Sequence, residues 1–243
     1  MHLTPREGAA WVGALAADLG ATGIPGAVEA WAFPAFPALP AVIAAAAAAL
    51  PALRIGAQNV HAQPQGAFTG DVSAAMLTAI DAHGVLVGHS ERRAGGETDD
   101  DVRAKLAAAE AAGLSAIVCV GEALPTREIG AAEAWVSIQI RAAFAGRPAV
   151  DPARVAVAYE PIWAIGTGRT ATPTDAATMH AAIRRTLAEV GQPADQLRIL
   201  YGGSVKPDNA RDLIQAGDVD GLLVGGASLD PVSFANILRA AAA

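Results

Sequence analysis

The feature that excludes most folds for this chain is a rhythm. After one opening helix, seven short apolar runs follow, at residues 28–33, 54–58, 85–87, 116–120, 155–159, 198–201 and 221–224, each with a helical stretch behind it. Runs this short and this continuously apolar read as strands covered on both faces. The helices carry their own punctuation. Thr4-Pro5-Arg6-Glu7, Thr98 with Asp101, and Thr172-Pro173 with Asp175 are N-terminal caps. Gly113 and Gly191 are stops. An alanine-rich helix follows Pro34, Pro37 and Pro40 and ends before Pro51, and further helices are expected at 74–82, 129–144, 209–215 and from about 233. Strands alternating with helices call for a parallel sheet with right-handed crossovers. A closed (β/α)8 barrel takes eight strands, each followed by a helix. The lone first helix therefore reads as the survivor of an eighth unit whose strand lies upstream of Met1. A doubly wound open sheet is the competing α/β architecture, but it usually carries a Gly-rich turn after its first strand, and none occurs here.

Residues 1–243 contain no Ser/Gly-rich or Pro-rich spacer, charge block or short tandem motif, so one continuous domain is expected. A net charge of -7 argues against a nucleic-acid or anionic-membrane partner, since both are held through excess Lys and Arg. The longest apolar stretch, residues 38–50, is broken by Pro40 and is too short to span a bilayer. One cysteine cannot form an internal disulfide, and the N-terminus lacks the pattern of a secretory signal, so a cytoplasmic protein is expected.

In a barrel the functional groups gather on the loops after the strands' C-terminal ends. There the strand at 155–159 runs directly into Glu160, a carboxylate entering low-dielectric surroundings and so a candidate proton acceptor. Pro161, Ile162, Trp163, Ala164, Ile165, Gly166, Thr167 and Gly168 come next, an apolar loop between Pro and Gly that suits a rigid lid on small hinges. His89 follows another strand. Gly202-Gly203-Ser204 and Gly225-Gly226 follow the last two, where close-approaching amides read as a phosphate cradle. A carboxylate, an imidazole, a phosphate seat and a lid suggest proton abstraction next to a carbonyl in a small phosphorylated sugar. The plainer readings are a Glu160 paired with an arginine, a His89 that is merely satisfied, and glycine pairs that are ordinary turns. Cys119 reads as packing, Arg92-Arg93 as ion-pair donors, and His2, His61, His83 and His180 have no spacing that suggests a metal.

These motifs resemble the triosephosphate isomerase family over essentially the full length. The matching stretches are Ala57-Gln58-Asn59 with Gly66-Ala67-Phe68-Thr69-Gly70, Gly88 through Arg93, Cys119-Val120-Gly121-Glu122, Ala158 through Gly168, Tyr201-Gly202-Gly203-Ser204-Val205, and Leu223 through Leu229. The resemblance implies a TIM barrel that interconverts dihydroxyacetone phosphate and D-glyceraldehyde 3-phosphate through an enediolate. A Glu base, a neutral His electrophile and a closing loop are the family's own trio and are carried over from it. It implies Glu160 as the proton shuttle, His89 as the donor to the oxygens, Gly166, Ser204, Gly225 and Gly226 at the phosphate, and Ser90 and Glu91 as supports of the histidine loop. It also implies a homodimer with Phe68 and Thr69 at the contact, and no metal or organic cofactor.

The chain departs from the family twice. Met1-His2-Leu3-Thr4 resembles the residues immediately after the family's Asn-aromatic-Lys tripeptide, so the active-site lysine is expected to be absent; of Lys105 and Lys206, neither is placed by sequence to substitute. Met1 then reads as an internal methionine of a longer frame, or the protein as truncated. A catalytically impaired phosphate-binding homologue is the alternative function. The second departure is Ala94-Gly95-Gly96, where the family has aromatic residues after its paired arginines.

Overall fold

The computed structural model describes residues 1–165 and 171–242. Helix α1 (Pro5–Leu19) starts as the sequence predicts: the Thr4 hydroxyl accepts from the Glu7 amide while the Glu7 carboxylate accepts from the Thr4 amide. Two of the donors that a helix start leaves free are thereby satisfied. The chain continues through β1 (Trp31–Ala32), α2 (Leu39–Ala49), β2 (Arg54–Ala57), α3 (Ala74–Thr78), β3 (Gly84–Val87), α4 (Ser90–Ala94), α5 (Asp99–Ala111) and β4 (Ser115–Val120). Then come α6 (Leu124–Glu128), α7 (Ala132–Phe144), β5 (Val155–Tyr159), α8 (Pro173–Glu189), β6 (Arg198–Tyr201), α9 (Ala210–Ile214), β7 (Gly221–Leu222) and α10 (Pro231–Ala241).

The seven strands pair in parallel in chain order, β1 to β7, and curl with the helices around them, the arrangement of an α/β TIM barrel. Among the described residues β1 and β7 do not pair with each other. A cavity of about 720 Å³ opens at that seam, lined by Val28 and Ala30 on one side, Leu222 and Val224 on the other, with Trp11 and Phe234 from the flanking helices. The edge strands are short for the same reason: each has a neighbour on one side only, so β1 covers two residues of the expected 28–33 and β7 two of 221–224. The central strands β3 and β5 are buried along their whole length, and α5, with Val102, Leu106 and Ala109 buried at helical spacing, packs on β3 and β4.

Three local expectations change. The helix expected over 74–82 stops at Thr78, because the chain reverses through Asp81 at φ 61° and the Ala82 amide bonds the Leu77 carbonyl. The helix expected over 129–144 begins only at Ala132, as α7, and a separate short helix that was not expected, α6, with Pro125 in its first turn, precedes it. Helix α4, directly after His89, has no counterpart among the expected helices.

Register is what assembles the site. Val120 pairs with Tyr159, Tyr159 with Tyr201 and Tyr201 with Leu222, so the residues one step beyond, Gly121, Glu160, Gly202 and Leu223, share one rim. No helix among the described residues is long and apolar enough to cross a membrane.

Candidate active site

Glu160 is 2% exposed. Its backbone amide bonds the Val120 carbonyl at 2.7 Å, and the neighbouring Gly202 amide bonds the Tyr159 carbonyl at 2.7 Å, so the residue is pinned from both adjoining strands. A buried carboxylate requires donors, and three converge on it. Oε2 accepts from the Ser90 amide at 2.8 Å, and Oε1 from the Ser90 hydroxyl at 3.1 Å, with His89 Nε2 3.0 Å away. Space is equally exact about its neighbours. A side chain at position 121 would overlap the Glu160 carbonyl oxygen, and one at 202 would come 3.1 Å from its Cγ. The acid therefore does face the imidazole and the glycine turns: Glu160, His89, Gly202, Gly225 and Gly226 line the same cavity.

His89 is presented by Gly88, whose φ of 75° turns the chain sharply out of β3. The ring then caps α4, with Nδ1 accepting from the Glu91 amide at 3.3 Å. An accepting Nδ1 puts the ring proton on Nε2, the nitrogen that faces Glu160. Burial draws the imidazole pKa down, but the hydrogen bond and charge of Glu160, with Glu91 and Glu97 behind it, outweigh that and leave it above the ordinary histidine value. Two ionic groups brace the turn from below. Arg93 donates to the carbonyls of Gly88 at 2.7 Å and Cys119 at 3.2 Å and pairs with Asp99, the structural role its sequence suggested. Glu97 accepts from the Gly88 amide at 3.0 Å and pairs with Lys105, which also donates to Asn59 at 2.9 Å. Lys105 is thus engaged away from the cavity. Cys119 is fully buried and its thiol is pushed well up by burial, which suits packing rather than reactivity.

The segment expected as a lid begins as a 3₁₀ turn at Ile162–Ala164. Glu122, part of a stretch that matches the family but not named as a site residue, anchors the start of that segment. This fully buried carboxylate accepts at Oε1 from the Trp163 indole at 2.8 Å and the Tyr159 hydroxyl at 3.1 Å, while its carbonyl accepts from the Ile162 amide at 3.2 Å. Burial raises its pKa despite those donors. Gly166, Thr167 and Gly168 lie outside the described residues.

On the opposite side, the Ser204 hydroxyl donates to the Ala164 carbonyl at 2.7 Å, tying the first glycine turn to the lid base. Ser228 donates to the Gly225 carbonyl at 2.7 Å, and the Trp11 indole to the Ser228 carbonyl at 3.0 Å, fixing the second turn. Among the described residues nothing accepts from the amides of Gly225 and Gly226. A second cavity of about 670 Å³ has Ile165, Ser204, Gly225 and Gly226 in its wall, and Lys206 with them. Sequence order alone sets Lys206 aside; the structure puts it in the same cavity wall as Gly225 and Gly226. The loop expected at a subunit contact folds on itself, His61 to the Val72 carbonyl at 2.8 Å, and leaves Thr69 exposed and Phe68 43% exposed against the His61 ring, 4.0 Å between centroids.

The family profile described as triosephosphate isomerase matches residues 1–241. The chain is similar to the triosephosphate isomerase of Chloroflexus aurantiacus, 56% identical over 190 residues, which are 77% of this chain and 76% of that one. It is 53% identical over 190 residues to that of Roseiflexus sp. strain RS-1, covering 77% and 75% of the two chains. With that of Solibacter usitatus it shares 52% over 191 residues, 77% of each.

Proposed function

The chain belongs to the triosephosphate isomerase family, and on that premise we propose how its own residues carry out the isomerisation of dihydroxyacetone phosphate and D-glyceraldehyde 3-phosphate. The substrate's phosphate sits against the amides of Gly225 and Gly226 and the turn at Ser204, with Gly166 completing the seat and the Lys206 ammonium at its edge. Glu160 leaves Ser90, turns to the carbon beside the carbonyl and takes its proton. As the C–H electron pair moves into the new C–C double bond, the carbonyl oxygen gains negative charge, and the His89 Nε2–H donates to it. The ring acts as a neutral donor, with Nδ1 accepting from the Glu91 amide, and a neutral donor stabilises an enediolate without first protonating it. Return of the proton from Glu160 to the neighbouring carbon, with exchange of the hydroxyl proton between the two oxygens, moves the carbonyl along by one carbon. No atom is gained or lost.

Closure of residues 161–168 over the cavity excludes water, which strengthens every electrostatic contact inside and shields the enediolate from expelling its phosphate. Homodimer formation through Phe68 and Thr69, and a place in cytoplasmic glycolysis and gluconeogenesis, complete the reading.

The observation that carries it is the 3.0 Å approach of Glu160 to His89 inside a cavity that also holds both glycine turns. A coupled isomerase assay with Glu160→Gln tests it. Loss of kcat by at least ~10²-fold is expected for removal of a general base, and parent-like turnover would overturn the assignment. Phosphate binding without any turnover by the parent chain would favour the impaired homologue.

A further inference from the structure

We propose that Arg127 is a positioning residue for the isomerisation: one guanidinium on α6 that holds both Trp163, near the start of the lid segment, and the first turn of α8. The proposal rests on reading residues 161–168 as the lid.

On the N-terminal side, the Arg127 guanidinium lies 4.3 Å from the centroid of the Trp163 ring. Trp163 donates its indole N–H to Glu122 Oε1 at 2.8 Å, and Arg127 Nη1 stands 3.7 Å from that same oxygen. The indole is therefore clasped between a buried acceptor at its edge and a cation on its face, two contacts that fix its position and its tilt together. On the C-terminal side, Arg127 Nη2 pairs with Asp175 Oδ1. The other Asp175 oxygen accepts from the Thr172 amide at 2.9 Å and the Thr172 hydroxyl at 2.7 Å, closing the capping box that starts α8. The arginine thus reaches one residue near the lid's first hinge and the first helical turn beyond its last.

The chemistry of the side chain matters. A planar fork can stack on an indole and still direct separate N–H groups to two acids, whereas a lysine ammonium is a point charge that can satisfy the acids but not the ring. Two carboxylates, Glu122 and Asp175, face this single guanidinium. Glu122 Oε2 is buried with no hydrogen-bond partner among the described residues, so the cation also offsets the cost of keeping that acid charged beneath the hinge. Arg127 is absent from the walls of both cavities; it acts through Trp163 and Asp175, not on the substrate.

The test compares the parent chain with Arg127→Met, Arg127→Lys, Asp175→Asn and Glu160→Gln, measuring kcat, KM and the inorganic phosphate released per isomerisation. Phosphate release reports how well the lid covers the enediolate: the enediolate electron pair breaks the C–O bond to the phosphate when cover fails. Arg127→Met is expected to lower kcat about tenfold and to raise phosphate release per turnover by a similar factor. Arg127→Lys restores the charge without the stack and falls between the two. Asp175→Asn leaves the Thr172 cap and the indole stack in place and serves should Arg127→Met fail to fold; it is expected to show the same pair of changes at about threefold. Unchanged kcat and phosphate release in Arg127→Met, or in Asp175→Asn if the former does not fold, overturns the proposal. So does a loss of kcat with no rise in phosphate release, the mark of a merely structural role. If Glu160→Gln abolishes turnover while the arginine variants behave as parent, the fault lies with Arg127; if Glu160→Gln is also parent-like, the site itself has been misread.

Discussion

Ser90 holds Glu160 with two donors at once, its amide and its hydroxyl, and that makes it the most informative small change in the site. Ser90→Ala removes one bond to a buried carboxylate while His89 still faces the oxygen it leaves. A loss of about 1–3 kcal/mol of stability is expected from urea unfolding, and no measurable loss would mean the hydroxyl contributes nothing in solution. The two perturbed histidines act on stability with opposite signs. His89 is held above the ordinary value in the fold, so its contribution is fully present below the unfolded pKa, about 6.5, and fades as pH rises through the higher folded value. His180 is held below it, chiefly by burial, so the unfolded state takes up more protons there and stability falls as pH drops past about 6.5. Unfolding free energies of the unliganded chain from pH 5 to 8 should show His89→Asn removing a decline toward high pH, and His180→Asn removing one toward low pH. Lys206 makes a third case. It lines a cavity that holds Gly225 and Gly226 but not the one that holds Glu160 and His89, so on the proposed reading Lys206→Ala should raise KM severalfold, more at low than at high ionic strength, with kcat little changed. A fall in kcat with unchanged KM would contradict that placement. Of these residues, Glu160 and His89 stood out because each lies within two residues of a strand's C-terminal end and the fold sends strand ends to one rim. Lys206 did not, since nothing in its position after Val205 says which way the turn directs it.

At the scale of elements, caps were the most legible feature. Thr4, Thr98 and Thr172 all form the boxes their spacing implies, because a capping box is closed within four residues and needs no tertiary partner. Thr172→Ala should cost about 1 kcal/mol, and because α8 follows the proposed lid closely in sequence, the variant should also lose kcat; a stability loss with full activity would separate the cap from the lid. What was not legible were pieces whose form depends on neighbours. Helix α4 exists because the His89 ring caps it and Arg93 and Glu97 brace the turn before it. Edge strands β1 and β7 shrink to two residues for want of a second neighbour.

For the whole molecule, the expected subunit contact puts a large apolar ring, Phe68, on an exposed loop that is already ordered by its own hydrogen bonds. A preformed loop loses little entropy on docking, so sedimentation equilibrium should find a dimer that Phe68→Asp converts to monomer, and a monomeric parent would remove Phe68 from that role. Sequence alone settled what is local or periodic: the alternation of strand and helix, the parallel order that alternation requires, the caps, and the placing of an acid one residue and an imidazole two residues past a strand end. Each follows from backbone sterics or from short-range hydrogen bonding, which adjacent residues decide between themselves. Tertiary structure decided which distant groups meet: Ser90 and His89 on Glu160, Glu122 under Trp163, and Arg127 spanning Trp163 and Asp175. Those meetings depend on strand register and on how helices seat against the sheet. Both are set by burial summed over the whole core, so no single stretch of the chain contains them.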